Sequence, residues 1–409
     1  MAQSKTYAYT ARDAAGKVIK GRVDASSEPA VVSKLRTMGV SPISVHEAGT
    51  GTGMQMEIKI PGLGGGVGLK DLAVMARQMA TMVGAGLSLI KTLNILAEQT
   101  ENKELARVLG IIRSDVESGS ALSESMAKHP TVFPPIMIHL VRSGETGGFL
   151  DSALNGAASN IEADVKLRDT IKSAMTYPVI VLIIAVLAVI GMLLFIVPIF
   201  EKMFADLGGE LPLPTQILVI MSKGIPWALI VLIPGGIAFS IWWNRNKHTE
   251  RVRAFIDPIK LKLPVFGMLF KKVAVARFTR NFATMLGAGV PILQALGIVG
   301  ETSGSYVVES ALRKVQESVR QGKSVSGPLA LEPVFPSMVV QMIAVGEDSG
   351  SMELMLNKVA EFYEAEVETT TKSLTSLIEP LMIAFIGVII GGMIVALYLP
   401  VFSIFDQIK

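Results

Sequence analysis

Three stretches of this chain, residues 173–200, 224–244 and 380–405, contain no Asp, Glu, Lys, Arg or His. Each reaches the length of about 20 residues that crosses a hydrocarbon core about 30 Å thick. The middle stretch is interrupted by Pro226, Pro234, Gly235 and Gly236, and ends in a Trp242-Trp243 pair before Arg245. Such a pair suits a membrane interface, where an amphipathic ring sits at headgroup level. Composition agrees: charged residues make up 18% of the 409, against about 25% in ordinary soluble domains. Mean hydropathy is +0.49. The chain has no cysteine, which removes disulfides, thiolate zinc sites and cysteine nucleophiles together. A net charge of +3 gives no reason to expect a nucleic-acid partner.

None of the apolar runs is N-terminal, so no cleavable signal peptide is expected. Flanking charge sets the expected orientation. The short stretch 201–216 is acidic, with Lys202 against Glu201, Asp206 and Glu210. Residues 244–280 are strongly basic, with Arg245, Lys247, Arg251, Arg253, Lys260, Lys262, Lys271, Lys272, Arg277 and Arg280 against Glu250 and Asp257. The basic side is expected in the cytoplasm, with the N-terminus inside and the C-terminus outside.

The two polar segments expected inside are copies of each other. Arg77-Gln-Met-Ala-Thr-Met-Val-Gly-Ala-Gly86 matches Arg280-Asn-Phe-Ala-Thr-Met-Leu-Gly-Ala-Gly289. Val132-Phe133-Pro134 matches Val334-Phe335-Pro336, and Gly144-Glu145-Thr146-Gly147-Gly148 matches Gly346-Glu347-Asp348-Ser349-Gly350. Pro178 pairs with Pro380, Pro198 with Pro400 and Phe200 with Phe402. The repeating unit is a polar domain followed by a span. The middle run returns the chain to its starting side, so both domains face the same way.

Each domain reads as a bundle of about six helices. Leu72, Met75, Met79 and Met82 keep helical spacing, as do Val275, Phe278, Phe282 and Met285. Glycine pairs at 84/86 and 287/289, then Gly119, Gly322, Gly144 and Gly346, read as helix stops. Pro134, Pro135 and Pro336 read as stops too. The last helix of each copy should rise from its domain into the span, through Glu162, Asp164, Lys166 and Arg168 or through Glu361, Glu364, Glu366 and Glu368.

The expected architecture is therefore a mainly α, polytopic membrane protein. It comprises two repeated cytoplasmic six-helix-bundle domains, three transmembrane helices and a small α+β N-terminal module. The expected boundaries are a module at 1–47, a Gly-rich linker at 48–68, a helical domain at 69–172 and a span at 173–200. A short periplasmic loop at 201–217, a second span at 218–243, a second helical domain at 244–377, a third span at 378–405 and a tail at 406–409 follow. In the module, residues 7–12 and 18–23 read as strands around a turn at 13–16, residues 28–38 as a helix, and 42–45 as a possible third strand.

Catalytic patterns are missing. Gln321-Gly322-Lys323-Ser324 resembles the end of a phosphate loop, but the glycine such a loop needs five residues before its second one is Glu317 here. The glycine run 62–66 opens no βαβ unit. His46, His129, His139 and His248 keep no metal-ligand spacing. The outer spans hold no Asp, Glu, Lys, Arg or His, which argues against a proton pump or ion-coupled transporter. A transporter or channel for small neutral solutes stays open. Neither a cofactor nor a metal is expected, and no enzyme activity.

Two repeats carrying Ala-Thr-Met-x-Gly-Ala-Gly and Gly-Glu-x-x-Gly, each followed by a span, resemble the type II secretion system F family. The resemblance extends to Tyr7-Ala-Tyr9, Asp13, Gly16-Lys17 and Gly21, and to Leu263-Pro-Val-Phe-Gly267 and Ala276-Arg277-Phe278. The segment from Pro198 to Phe204 with Leu211-Pro-Leu-Pro-Thr-Gln216 looks more like the pilus branch than the secretion branch. The resemblance implies a non-enzymatic inner-membrane platform. Its implied partners are a cytoplasmic hexameric ATPase for assembly or retraction, pilin subunits in the membrane, other inner-membrane pilus alignment proteins, the lipid bilayer and further copies of itself.

Three residue sets are candidates. Gly144, Glu145 and Gly148 with Gly346, Glu347 and Gly350 form the repeat motif, either as helix punctuation or as a partner or cation contact. Punctuation would have Thr146 and Asp348 cap the following helix. Arg77, Lys271, Lys272, Arg277 and Arg280 are candidates for touching a motor or anionic lipid, or simply for a solvated basic face. Gly387 and Gly391 suit close helix packing in the membrane.

Overall fold

The structure is a computed structural model that describes residues 5–12, 18–25, 28–37, 41–47, 66–206, 211–247, 249–264 and 266–407. The expected turn at 13–16, residues 48–65 of the linker expected at 48–68, most of the glycine run at 62–66, His248 and the last two residues of the tail lie outside them. Residues 1–64 and 65–409 form separate units. In the first, β1 (Lys5–Arg12) pairs antiparallel with β2 (Val18–Ala25) and β3 (Ser41–Glu47), in the order β2-β1-β3. Tyr7 lies opposite Val23 and Tyr9 opposite Gly21, and the β1–β3 register shifts between Thr10 and Ala11. Helix α1 (Glu28–Thr37) buries Val31 and Leu35.

The second unit holds one six-helix arrangement twice. The first copy is α2 (Leu69–Gly84), α3 (Leu89–Gln99), α4 (Lys103–Glu117), α5 (Leu122–Ala127), α6 (Pro135–Gly147) and α7 (Leu150–Gly191). A five-residue π turn, Met192–Ile196, and α8 (Val197–Asp206) extend α7. Wider π hydrogen bonding just before Pro198 accommodates a ring that lacks the amide a helix needs there. Helix α9 (Leu213–Asn246) follows, then α10 (Glu250–Lys262). The second copy is α11 (Phe266–Gly287), α12 (Ile292–Thr302), α13 (Tyr306–Arg320), α14 (Ser326–Ala330), α15 (Ser337–Ser349) and α16 (Met352–Gln407).

Helical spacing predicts the core correctly. Leu72, Met75 and Met79 are buried, as are Val275, Phe278, Phe282 and Met285, and one continuous apolar cluster runs through both copies. Caps set the boundaries: the Asn102 side chain accepts from the amides of Glu104 and Leu105, both at 3.1 Å. Pro135 opens α6 instead of ending α5, because proline's missing amide costs nothing in a first turn.

Gly144 and Gly346 do not end helices. They lie inside α6 and α15, which stop at Gly148 and Gly350, with φ of +75° and +68°. Of the motif glycines, Gly148 and Gly350 are the ones whose backbone needs the left-handed conformation that glycine adopts freely. Gly144 and Gly346 are required for a different reason. A Cβ at Gly144 would sit 2.4 Å from Ala153 Cβ, and one at Gly346 would sit 2.7 Å from Met352 Cα. The glycine lets the first turn of the outgoing helix press against the helix before it.

Among the described residues, three helices are long and apolar enough to cross a membrane: α7 with its extension, α9 and α16. They meet at Leu193, Val197, Leu218, Val219, Met393 and Leu397, where the Thr215 hydroxyl donates to the Ala396 carbonyl. Helix α16 has 56 residues, so at 1.5 Å per residue it is roughly 80 Å long. One uninterrupted helix therefore runs from the second domain through its span.

Candidate functional site

Arg77, Lys272, Arg277 and Arg280, singled out by sequence, gather where α7 and α16 leave their domains. In the first copy the Arg77 guanidinium forks onto Glu162, with Nε to Oε1 at 2.7 Å and Nη2 to Oε2 at 2.6 Å. Its third nitrogen, Nη1, donates to Asn155 Oδ1 at 2.6 Å. The second copy repeats the clamp: Arg280 meets Glu364 at 2.8 and 3.0 Å and Asn357 at 3.0 Å. Each arginine comes from the first helix of its domain, and each acceptor from the helix that continues into the membrane. A guanidinium presents a fixed planar fork that fits a carboxylate with both arms, so the clamp fixes orientation as well as distance. Arg77 holds Glu162 below the usual glutamate range, and Glu162 in turn raises Arg77.

The other basic candidates also have partners in the chain. Lys272 donates to Glu366 at 2.6 Å and to Thr370 at 2.8 Å, and Lys271 to the Pro333 carbonyl at 2.9 Å. Arg277 pairs with Asp164 of the first copy at 2.8 Å. Lys272, Arg277 and Arg280 thus neutralise the acidic roots of α7 and α16, while Lys271 does not. Sequence reasoning had both halves but not the pairing. The signal was present in the alignment of the copies, since Arg77, Asn155 and Glu162 correspond to Arg280, Asn357 and Glu364.

The two glutamates of the repeated motif point back into their own domains. Glu145 accepts from the amides of Leu122 and Ser123 at 2.5 and 3.1 Å. Glu347 accepts from Val325 and Ser326 at 2.7 and 3.2 Å, and from the Ser326 hydroxyl at 3.0 Å. A carboxylate from α6 or α15 therefore holds the orphan amides that open the short helix α5 or α14. Thr146 does not cap the next helix; its hydroxyl donates to the Arg142 and Ser143 carbonyls of its own. Phe149 takes the N-cap position of α7 without a side-chain hydrogen bond. Among the described residues, a Cβ at Gly387 or Gly391 would meet no atom of another helix within 4 Å, so neither glycine makes a close helix contact within the chain.

The copies are joined to each other by polar contacts. Asn160 donates to Asn281 at 2.9 Å in a buried amide pair, and the Ser143 hydroxyl donates to the Ala288 carbonyl at 2.8 Å. A cleft of about 390 Å³ lies at this junction, lined by Asp164, Arg277, Arg280 and Glu301 among others. Asp164 pairs there with Arg277 and Arg168, and Arg280 with Glu364. Among the described residues, no cluster of His, Asp and Glu could hold a metal ion. Burial keeps the nearby His139 imidazole below its ordinary pKa. The arrangement is chemically quiet and mechanically continuous: each domain is fastened to the helix that enters the membrane.

The family profile described as type II secretion system protein F matches residues 75–198 and again 278–400, one match on each copy. The profile of that protein's N-terminal domain matches residues 1–46. The chain belongs to the type II secretion system protein F family. Among relatives in the family, type IV pilus assembly protein PilC of Myxococcus xanthus is 42% identical over 403 residues, covering 98% of this chain and 96% of that protein. PilC of Thermus thermophilus is 44% identical over 404 residues, covering 98% and 99%. Type II secretion system protein F of Pseudomonas aeruginosa is more distant, at 31% over 407 residues, covering 97% and 98%.

Proposed function

We propose that this protein is the inner-membrane platform of a type IV pilus assembly machine. It couples a cytoplasmic hexameric ATPase to the insertion and extraction of pilin subunits. The observation that carries the pilus reading is the gradient of similarity: the relatives named for type IV pilus or fimbrial assembly share 34–44% of residues, and those named for type II secretion 29–31%. The clamped helices favour a mechanical role. A force applied to either domain reaches its span through a bidentate ion pair and an unbroken helix.

In this reading both domains and the N-terminus face the cytoplasm, the 201–216 segment and the C-terminus face the periplasm, and the protein performs no catalysis itself. Arg245, at the cytoplasmic end of α9, and Arg251, in the first turn of α10, lie where anionic headgroups attract basic side chains by about 1 kcal/mol each.

The test is affinity capture of the tagged protein from native membranes. A pilus-type assembly or retraction ATPase should be recovered, and deletion of the gene should abolish pili while leaving protein secretion intact. Recovery of a secretion ATPase with loss of secreted enzymes would assign the protein to the other machine. ATP hydrolysis or solute flux by the purified protein alone would refute the platform role.

A further inference from the structure

Helix α10 carries its polar and apolar faces the wrong way round for a helix on a water-facing surface. Towards its domain it presents charge. The Arg253 guanidinium meets the Glu309 carboxylate at 3.0 Å, and that carboxylate is 7% exposed. The buried Asp257 accepts from the Tyr306 amide at 2.9 Å and from Lys260 at 3.0 Å. Asp257 thereby satisfies an orphan amide at the start of α13, as Asn102 does for α4. Away from the domain α10 presents Phe255, Ile259 and its C-cap Leu263, which are 71%, 47% and 44% exposed. Residues four apart share one face of a helix, so the three form a single stripe.

Arg251 and Lys262 flank that stripe and are exposed as well. Among the described residues neither has an ion-pair partner. They differ in this from Lys272, Arg277 and Arg280, whose charges are met within the chain. Burying charge while exposing apolar groups is unfavourable in water on both counts, and suits a helix whose outer side has left water.

The place of α10 identifies what covers it. Helix α9 ends with Trp242, Trp243 and Arg245, and the chain turns at once: the Thr249 amide donates to the Asn246 carbonyl at 2.9 Å, and Thr249 is the N-cap of α10. Trp243 and Lys247 line the same cleft as Val252, Arg253 and Ile256. The first two turns of α10 therefore sit beside the last turn of α9, at the depth where its aromatic pair meets the headgroups. Helix α10 also lies between the two segments that match the family profile, 75–198 and 278–400, and belongs to neither.

We infer that α10 lies in the interface of the cytoplasmic leaflet, with Phe255, Ile259 and Leu263 among the upper acyl carbons and Arg251 and Lys262 on anionic lipid headgroups. Lipid is the occupant because the stripe continues the membrane surface of α9 and carries the charge that complements an anionic leaflet. Through Arg253 and Asp257 this foothold ties α13 to the bilayer, so the second domain is attached there as well as by α9 and α16. This placement rests on the reading of α9 as a span with its basic end in the cytoplasm, and not on which machine the protein serves.

Because the chain has no cysteine, single introduced ones report position. Full-length chains with Ile259→Cys, Ile230→Cys or Gln321→Cys are labelled with a polarity-sensitive fluorescent maleimide and reconstituted into vesicles of phosphatidylcholine and phosphatidylglycerol. Ile230 lies within α9 and Gln321 is the exposed C-cap of α13. Lipid spin-labelled high on its acyl chain should quench the probe at 259 at least about three-fold more than the probe at 321. Arg251→Gln with Lys262→Gln should remove about half of the quenching at 259 or more, and leave quenching at 230 unchanged. Quenching at 259 no greater than at 321, while 230 is quenched by lipid labelled deep in its chain, would overturn the proposal. In that case a probe at 259 shielded from iodide in native membranes would mean that another protein covers α10, and one open to iodide would mean a bare surface. Quenching at 259 that the paired charge substitution leaves unchanged would overturn the anionic lipid contact. An unquenched probe at 230 would refute the span itself, and the placement of α10 with it.

Discussion

Replacing Glu347 by Gln separates a structural carboxylate from one that serves a partner. Glu347 accepts two backbone amides and a hydroxyl, at 2.7–3.2 Å. A hydrogen bond to a charged group contributes roughly 1.5–3 kcal/mol, and partial solvent access places these at the low end, about 3 kcal/mol for the two amides together. Glutamine keeps one acceptor but turns an NH2 towards the other amide, so Glu347→Gln should cost about half, roughly 1.5–2 kcal/mol. Glu347→Ala leaves both amides without a partner and should cost the full amount, about 3 kcal/mol. At about 2–4 °C per kcal/mol for a unit of 150–250 residues, the glutamine variant should melt roughly 3–8 °C lower. Circular dichroism at 222 nm on the detergent-solubilised protein measures this. Glu145→Gln should behave alike, because Glu145 makes the same pair of amide contacts in the first copy. The reasoning fails if Glu347→Gln melts with the parent while pilus assembly is lost. That result would assign the charge to a partner or a cation.

Glycines in two settings should respond oppositely to alanine. Gly144→Ala meets Ala153 and should destabilise by about 1–3 kcal/mol through overpacking, whereas Gly110→Ala, in α4 with open space around it, should stabilise by about 0.5–1 kcal/mol; paired thermal melts decide. Breaking the clamp should cost more in the second copy. The Arg280–Glu364 pair is 22% and 29% exposed, against 37% and 43% for Arg77–Glu162, so Arg280→Met should cost about 1–3 kcal/mol and Arg77→Met about 1 kcal/mol or less. Equal losses in denaturant titrations would contradict that ordering. Acid should destabilise the domains in two stages. His139 has a lowered folded pKa, so its contribution is complete above the ordinary histidine pKa and falls as pH drops below that value. Glu162, also lowered, contributes above the ordinary glutamate range and loses that contribution only at more acid pH. Melting temperature against pH should therefore show two descents, and His139→Gln should remove the first.

What could be read from the sequence depended on whether the determining physics is local. An uncharged run of 20 or more residues specifies a span by itself, and the three runs were legible. Helical spacing placed Phe278 and Phe282 in the core for the same reason. Gly144 was misread as a helix stop because composition alone cannot tell a glycine needed for a left-handed backbone from one needed for close approach. The difference lies in Ala153 and Leu150, which belong to the next helix. The fates of Lys271 and Lys272 were equally hidden. A basic run looks available until the acidic helix beside it is placed, and Glu366 is far along the chain. The clamp could have been found, since its polar residues recur in both copies without any periodic reason to do so.

Helix α9 makes possible something that two separate proteins could not do. A homodimer of the ancestral half would have to present one sequence on both sides of every contact, so Arg277 and Val74 would have to be the same residue. By fusing two halves in one chain, α9 lets the α11 face become a buried polar joint while the matching face of α2, with Val74, Gln78 and Thr81, stays exposed. The duplication thus freed equivalent positions to diverge, and the asymmetry between the copies records that division of labour.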